Sequence, residues 1–196
     1  MNGFERRKLT KMDQIRKAAF HLFSKYGVQK VNIQEIAKKA NVSQVTIYNY
    51  FGSKDDLVYD VMKDYMDKQL QAFIEIKDSE LTFKEKLEKL FSLKIEGTKE
   101  LSPEFLEAIL SEHSQIAKLF QEFAVEKSLP LLFEFFEEGK REGFVSPELS
   151  MNTILFILQS LTDSVQKAPE NFQTVEQRDQ FTKEVLHFFF YGIMNR

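Results

Sequence analysis

Apolar residues recur at spacings of three and four along most of the chain, the period of helices that bury one face. Ile15, Ala18, Ala19, Leu22, Phe23 and Tyr26 form the first stripe and predict a helix over 11–26, ended by Gly27. A short helix over 33–40 follows, with Ile33, Ile36, Ala37 and Ala40 inward. Asn32 and Glu35 have capping-box spacing at its start, and Asn41 suits the left-handed conformation that ends a helix. Val42 plugs the turn. Ser43 then N-caps a helix over 44–50 whose inward residues are Ile47 and Phe51. Ser53, with Asp56 three residues on, opens a helix over 53–77, about 36 Å long at ~1.5 Å per residue.

Beyond a break at 78–80, the pattern predicts helices over 82–98, 103–111 and 114–125, and a longer one reaching 141 whose start or kink is set by Pro130. Gly143 closes it. Ser146 followed by Pro147 reads as an N-cap with Pro at the first helical position, so a helix is expected over 147–167. The last helix is placed over 175–194, and residues 1–10 read as a basic arm. The expectation is an all-α chain. A three-helix N-terminal domain is joined by a long fourth helix to a C-terminal helical domain, with domains at 1–54 and 55–196.

The helix over 44–50 turns Gln44, Val45, Thr46, Tyr48, Asn49 and Tyr50 outward and carries no acidic residue. Such a face has chemistry for DNA. Gln and Asn can bond an adenine edge in two places, Thr and Val can touch a thymine methyl, and Tyr hydroxyls can bond phosphate oxygens. Two short helices joined by a tight turn, the second bearing such residues, form a helix-turn-helix. Asn32, Gln34 and Ser43 flank that face, and Lys54 adds a charge at a helix N-terminus suited to a phosphate.

The run I-x-x-A-A-x-x-L-F at 15–23, then Gly27, EIAKKANVS and TIYNYFGSKDDL at 46–57, resembles the TetR family of bacterial transcriptional regulators. The resemblance covers the first third of the chain and departs from the family pattern at Asn41 and Val45, where glycine is frequent. It implies a phosphate contact by Lys54, pairing through the last two helices and a ligand pocket among the middle helices.

Composition sharpens this reading. The net charge is −3, yet the first 54 residues carry eleven Lys or Arg against three acidic residues, and the rest carry sixteen against twenty-seven. The positive part coincides with the helix-turn-helix, as phosphate neutralisation requires. No cysteine, HExxH, P-loop, GxSxG or GxGxxG occurs, and His21, His113 and His187 fall on separate predicted helices. Neither catalysis, a cofactor nor a metal is expected. No stretch of about 18 apolar residues suggests a membrane span, and the N-terminus lacks a signal-peptide core, so a cytoplasmic protein is expected.

Five consecutive apolar residues, 154–158, and four more at 188–191 cover the full circumference of their helices. One face can enter the monomer's core and the other needs a cover, which predicts a two-fold homodimer using Ile154, Ile157, Leu158, Leu161, Phe181, Val185, Phe188 and Phe189. Sixteen of twenty Phe follow residue 54. Phe83, Phe91, Phe105, Phe120, Phe123, Phe133 and Phe136, with His113, are the candidates to surround an apolar or aromatic effector. The expected function is a repressor that leaves a palindromic DNA operator when a small molecule binds. The alternatives keep the fold as an activator, an architectural DNA binder or a regulator controlled by a protein partner.

Overall fold

The computed structural model describes residues 3–99, 115–167 and 174–193. Among them the helices run α1 (Gly3–Tyr26), α2 (Ile33–Ala40), α3 (Gln44–Phe51), α4 (Lys54–Lys77), α5 (Phe83–Lys99), α6 (Gln115–Phe123), α7 (Leu129–Arg141), α8 (Met151–Lys167) and α9 (Val175–Ile193). A single π-turn, Ala124–Ser128, joins α6 to α7. The helix expected over 103–111 lies outside the described residues.

Two boundaries, at the basic arm and at Pro147, differ from expectation for local reasons, while Pro130 marks a helix start as expected. The basic arm is helical from Gly3, because nothing between residues 3 and 10 breaks a helix and the Thr10 hydroxyl donates back to the Arg6 carbonyl at 2.9 Å. Pro130 lies in the first turn of α7, after the π-turn, where its missing N–H costs no bond. The helix expected from Pro147 starts at Met151. Ser146 instead accepts the Leu149 N–H in a turn at 3.2 Å, and Ser150 takes over the cap, accepting from the Thr153 N–H at 3.1 Å.

The chain packs as two compact units, Met1–Ala72 with Lys99–Lys127, and Phe73–Thr98 with Ser128–Arg196. In the first, Ile15, Ala19 and Phe23 of α1, Ile36 of α2, Ile47 of α3, and Leu57, Val61 and Met62 of α4 form one buried core. Packing therefore runs past residue 54, since the apolar stripe of α4 is buried with the reading helices. Leu119 of α6 closes the same core.

In the second unit Phe83 is the hub. Its ring stacks on Phe135 at 4.7 Å and on Phe144 at 5.9 Å, and meets Phe136 edge-on at 6.4 Å. Gly139 makes room for it: a Cβ there would lie 2.4 Å from the Phe83 ring. Thr82 and Glu85 form a capping box that starts α5 at this point. Buried Lys86 reaches Glu138 at 3.6 Å, so its charge is paired.

Candidate nucleic-acid interface

The turn between α2 and α3 is built by caps. Asn32 Oδ1 accepts the Glu35 N–H at 3.0 Å, and Glu35 Oε2 accepts the Asn32 N–H at 2.9 Å. This closes the box and fixes where α2 begins. Asn41 sits at φ 53°, ψ 48°, and the Val42 N–H reaches back to the Ala37 carbonyl at 3.0 Å. The left-handed residue reverses the chain within one position, so Ser43 can cap α3 by accepting the Thr46 N–H at 3.0 Å. Ile47 is fully buried and Phe51 nearly so, which sets the rotation of α3 about its axis.

That rotation decides what faces outward. Gln44, Val45, Tyr48 and Asn49 are exposed, Val45 by 65% and Tyr48 by 47%. Gln34 of α2 is exposed beside the turn. The remaining expected contacts are partly withdrawn. Tyr50 is half-buried against the core, since in α3 it follows buried Ile47 by three residues and so lies toward the same side. Thr46 is half-buried and shares a hydrogen bond with the Ser43 hydroxyl at 2.8 Å. Asn32 and Ser43 spend their side-chain oxygens on caps. Of the expected contacts on α3, Gln44, Val45, Tyr48 and Asn49 are therefore the exposed ones.

Gly52, at φ 85°, turns the chain from α3 into α4, and the Ser53 hydroxyl accepts the Asp56 N–H at 3.0 Å. Lys54 follows at the first helical position, and among the described residues it has no ion pair. Its charge and the free N–H groups of that first turn suit one phosphate oxygen. Behind this surface Arg16 of α1 pairs with Asp60 of α4, two contacts the sequence pattern does not reveal because they lie 44 residues apart. The hydrogen bond to Asp60 raises the Arg16 pKa above its ordinary value.

The described effector candidates fall in both compact units. Phe83 and Phe136 are buried core, and Phe91 packs on that core with its ring 5.3 Å from Phe189. Phe120 and Phe123 pack on the core of the first unit, and Phe133 is 51% exposed. Phe105 and His113 lie outside the described residues. Phe83 and Phe136 thus pack against other rings of the same core. Of the pairing residues, Ile154 and Phe189 are sealed in the second unit's core and have no surface to give a partner. Ile157, Leu158 and Leu161 are half-buried against that core, and Phe181 and Val185 are half-buried too. Phe188 is 79% exposed, as is Phe156 by 72%, a residue absent from the expected set.

Residues 15–61 match the model of the bacterial regulatory proteins, tetR family. The HTH-type transcriptional repressor KstR2 of Mycolicibacterium smegmatis is 23% identical over 168 residues, 78% of this chain and 76% of its own. The fatty acid metabolism regulator protein of Bacillus subtilis is 33% identical over 82 residues, 42% of each chain. Among solved structures, the transcriptional regulator FadR from Bacillus subtilis in complex with stearoyl-CoA has a TM-score of 0.68 at 23% identity, covering 92% of this chain and 98% of its own. No described helix is long and apolar enough to cross a membrane.

Proposed function

Because its reading head places the chain in the TetR family of bacterial regulatory proteins, we propose that this DNA-binding regulator is a cytoplasmic repressor that reads a palindromic operator as a homodimer and leaves it when a small apolar effector binds. The observation that carries the reading is the exposed face of α3, Gln44, Val45, Tyr48 and Asn49, with the charge of Lys54 at the next helix start. The chain regulates transcription, as its relatives do, rather than catalysing a reaction.

Pairing through α8 and α9 would cover Phe156 and Phe188. Two reading helices about 34 Å apart then enter successive major-groove faces of one operator. We take residues 1–54 as the functional head and 55–196 as the regulatory part, with α4 supplying residues to both compact units. An effector releases DNA only by binding better to the form that cannot hold it. A coupling of about 1–3 kcal/mol gives roughly 5- to 150-fold release. Stearoyl-CoA bound to a fold neighbour makes acyl-CoA thioesters the first class to try, since a long acyl chain meets the expectation of an apolar ligand.

A second reading has one observation in its favour. Leu129 and Phe133, four apart on α7, are 39% and 51% exposed, which suits a regulator controlled by a protein partner. Selection of sites from random duplex DNA at fixed, moderate salt tests the main reading. Enrichment of one inverted repeat is expected, and its release by an acyl-CoA would identify the effector class. Binding without enrichment would overturn sequence reading and leave only phosphate holding by the basic head.

A further inference from the structure

We infer that Arg16 and Asp60 are positioning residues for DNA reading: their paired side chains fix the angle at which α3 meets the groove, without touching DNA themselves. Three observations meet at Arg16. Its Nε donates to Asp60 Oδ1 at 2.5 Å and its Nη2 donates to Asp60 Oδ2 at 3.3 Å, so the guanidinium grips the carboxylate with two of its nitrogens. The Arg16 Cζ lies 6.0 Å from the centre of the Phe51 ring, the last residue of α3. The side chains are 20% and 33% exposed, and the neighbouring Ile15 is fully buried. One side chain on α1 thus braces the end of the reading helix and the second turn of α4.

The brace is placed where the backbone is most permissive. Only Gly52 and Ser53 separate α3 from α4, and Gly52 adopts φ 85°, a conformation that glycine occupies and leaves at little cost. A change of angle at Gly52 would swing Gln44 and Val45, two turns away along α3, while leaving both helices intact. Hydrophobic packing of Ile47 and Phe51 sets depth and rotation but is non-directional. The two-point Arg–carboxylate contact adds the direction. The idea rests on the head being a sequence reader, so the test begins with the wild-type chain.

The experiment uses the full-length chain, the duplex that the wild type enriches from a random pool, and a scrambled duplex of equal length and composition. Enrichment by the wild type tests the head as a sequence reader on its own, before any variant is compared. Asp60→Asn removes a negative charge from the reading head, so electrostatics alone would strengthen binding to both duplexes. Positioning predicts the opposite for one of them. Asp60→Asn should lose about 10-fold or more on the enriched duplex, roughly 1.4 kcal/mol, and hold or gain on the scrambled one. Arg16→Lys, which keeps the charge but not the two-point grip, should show the same split. Unchanged or tighter binding of the folded variants to the enriched duplex would overturn the inference. So would unfolding of Asp60→Asn at the assay temperature, which would mean that the pair holds the head together rather than aiming it.

Discussion

Gly139→Ala distinguishes a packed aromatic core from a ligand-lining wall. The added Cβ would sit 2.4 Å from Phe83 Cε2, 2.5 Å from Cζ and 2.9 Å from Val145 Cγ2. Ordinary carbon contact is about 3.5–4.0 Å, so the ring must retreat by about 1 Å. Phe135 and Phe144 stack on it and Phe136 meets its edge, leaving no free direction. Overpacking costs about 1–3 kcal/mol, and with three atoms inside 3.0 Å the upper part of that range applies here, about 2–3 kcal/mol. Alanine in place of a helical glycine returns about 1 kcal/mol, so the loss wins by about 1–2 kcal/mol. For a chain of this length each kcal/mol moves Tm by about 2–4 °C, and a fall of about 2–8 °C is expected in thermal unfolding followed by circular dichroism. Were Phe83 the wall of a cavity, its ring would swing aside and only the helix gain would remain. A Tm at or above that of the wild type would therefore refute the packed-core assignment and restore Phe83 as a candidate ligand contact.

Other expectations concern DNA, pairing and pH. Lys54→Ala should weaken all duplexes alike and reduce the slope of log affinity against log salt by about one; a loss confined to one sequence would contradict a phosphate role. Gln44→Ala should cost about 1–3 kcal/mol on the enriched duplex and little on a scrambled one, as measured by competition. Phe156→Glu with Phe188→Glu should shift sedimentation from dimer to monomer and weaken operator binding, and an unchanged dimer would move the pairing surface elsewhere. Asp13 and Asp67 are held below the ordinary 3.8, Asp13 chiefly by a hydrogen bond from Lys17 and Asp67 chiefly by one from Lys63, with Lys127 adding to it. Folded values below unfolded ones contribute stability that is present above about pH 4 and lost as pH falls through the folded values. Lys63→Ala should raise the Asp67 midpoint in an NMR titration, and a fixed midpoint would disprove the cause given.

Local rules were sufficient for the reading head. The Asn32 box, left-handed Asn41, the Ser43 cap and the Ile47/Phe51 inward pair depend on residues within four positions of one another, so their spacing determines the turn. Tyr50, expected outward, follows Ile47 by three residues and lies at the edge of the buried face, where packing draws it partly inward. The start of α8 failed similarly, because Ser146 and Ser150 both offer caps and only the finished turn chooses between them.

The sequence by itself determined an all-helical chain with a basic reading head, since helical period, capping and charge are properties of neighbours along the chain. The tertiary structure alone decided which of the many apolar residues meet each other. Periodicity says that Phe83, Phe136, Ile154 and Phe189 turn inward but not whether a ring, a ligand or another protomer waits there. Packing placed these four in one core with aromatic and aliphatic neighbours and left Phe156 and Phe188 outside. It also brought Arg16 to Asp60 across 44 residues, a pairing invisible to any local rule because ion pairs depend on distance in space rather than along the chain.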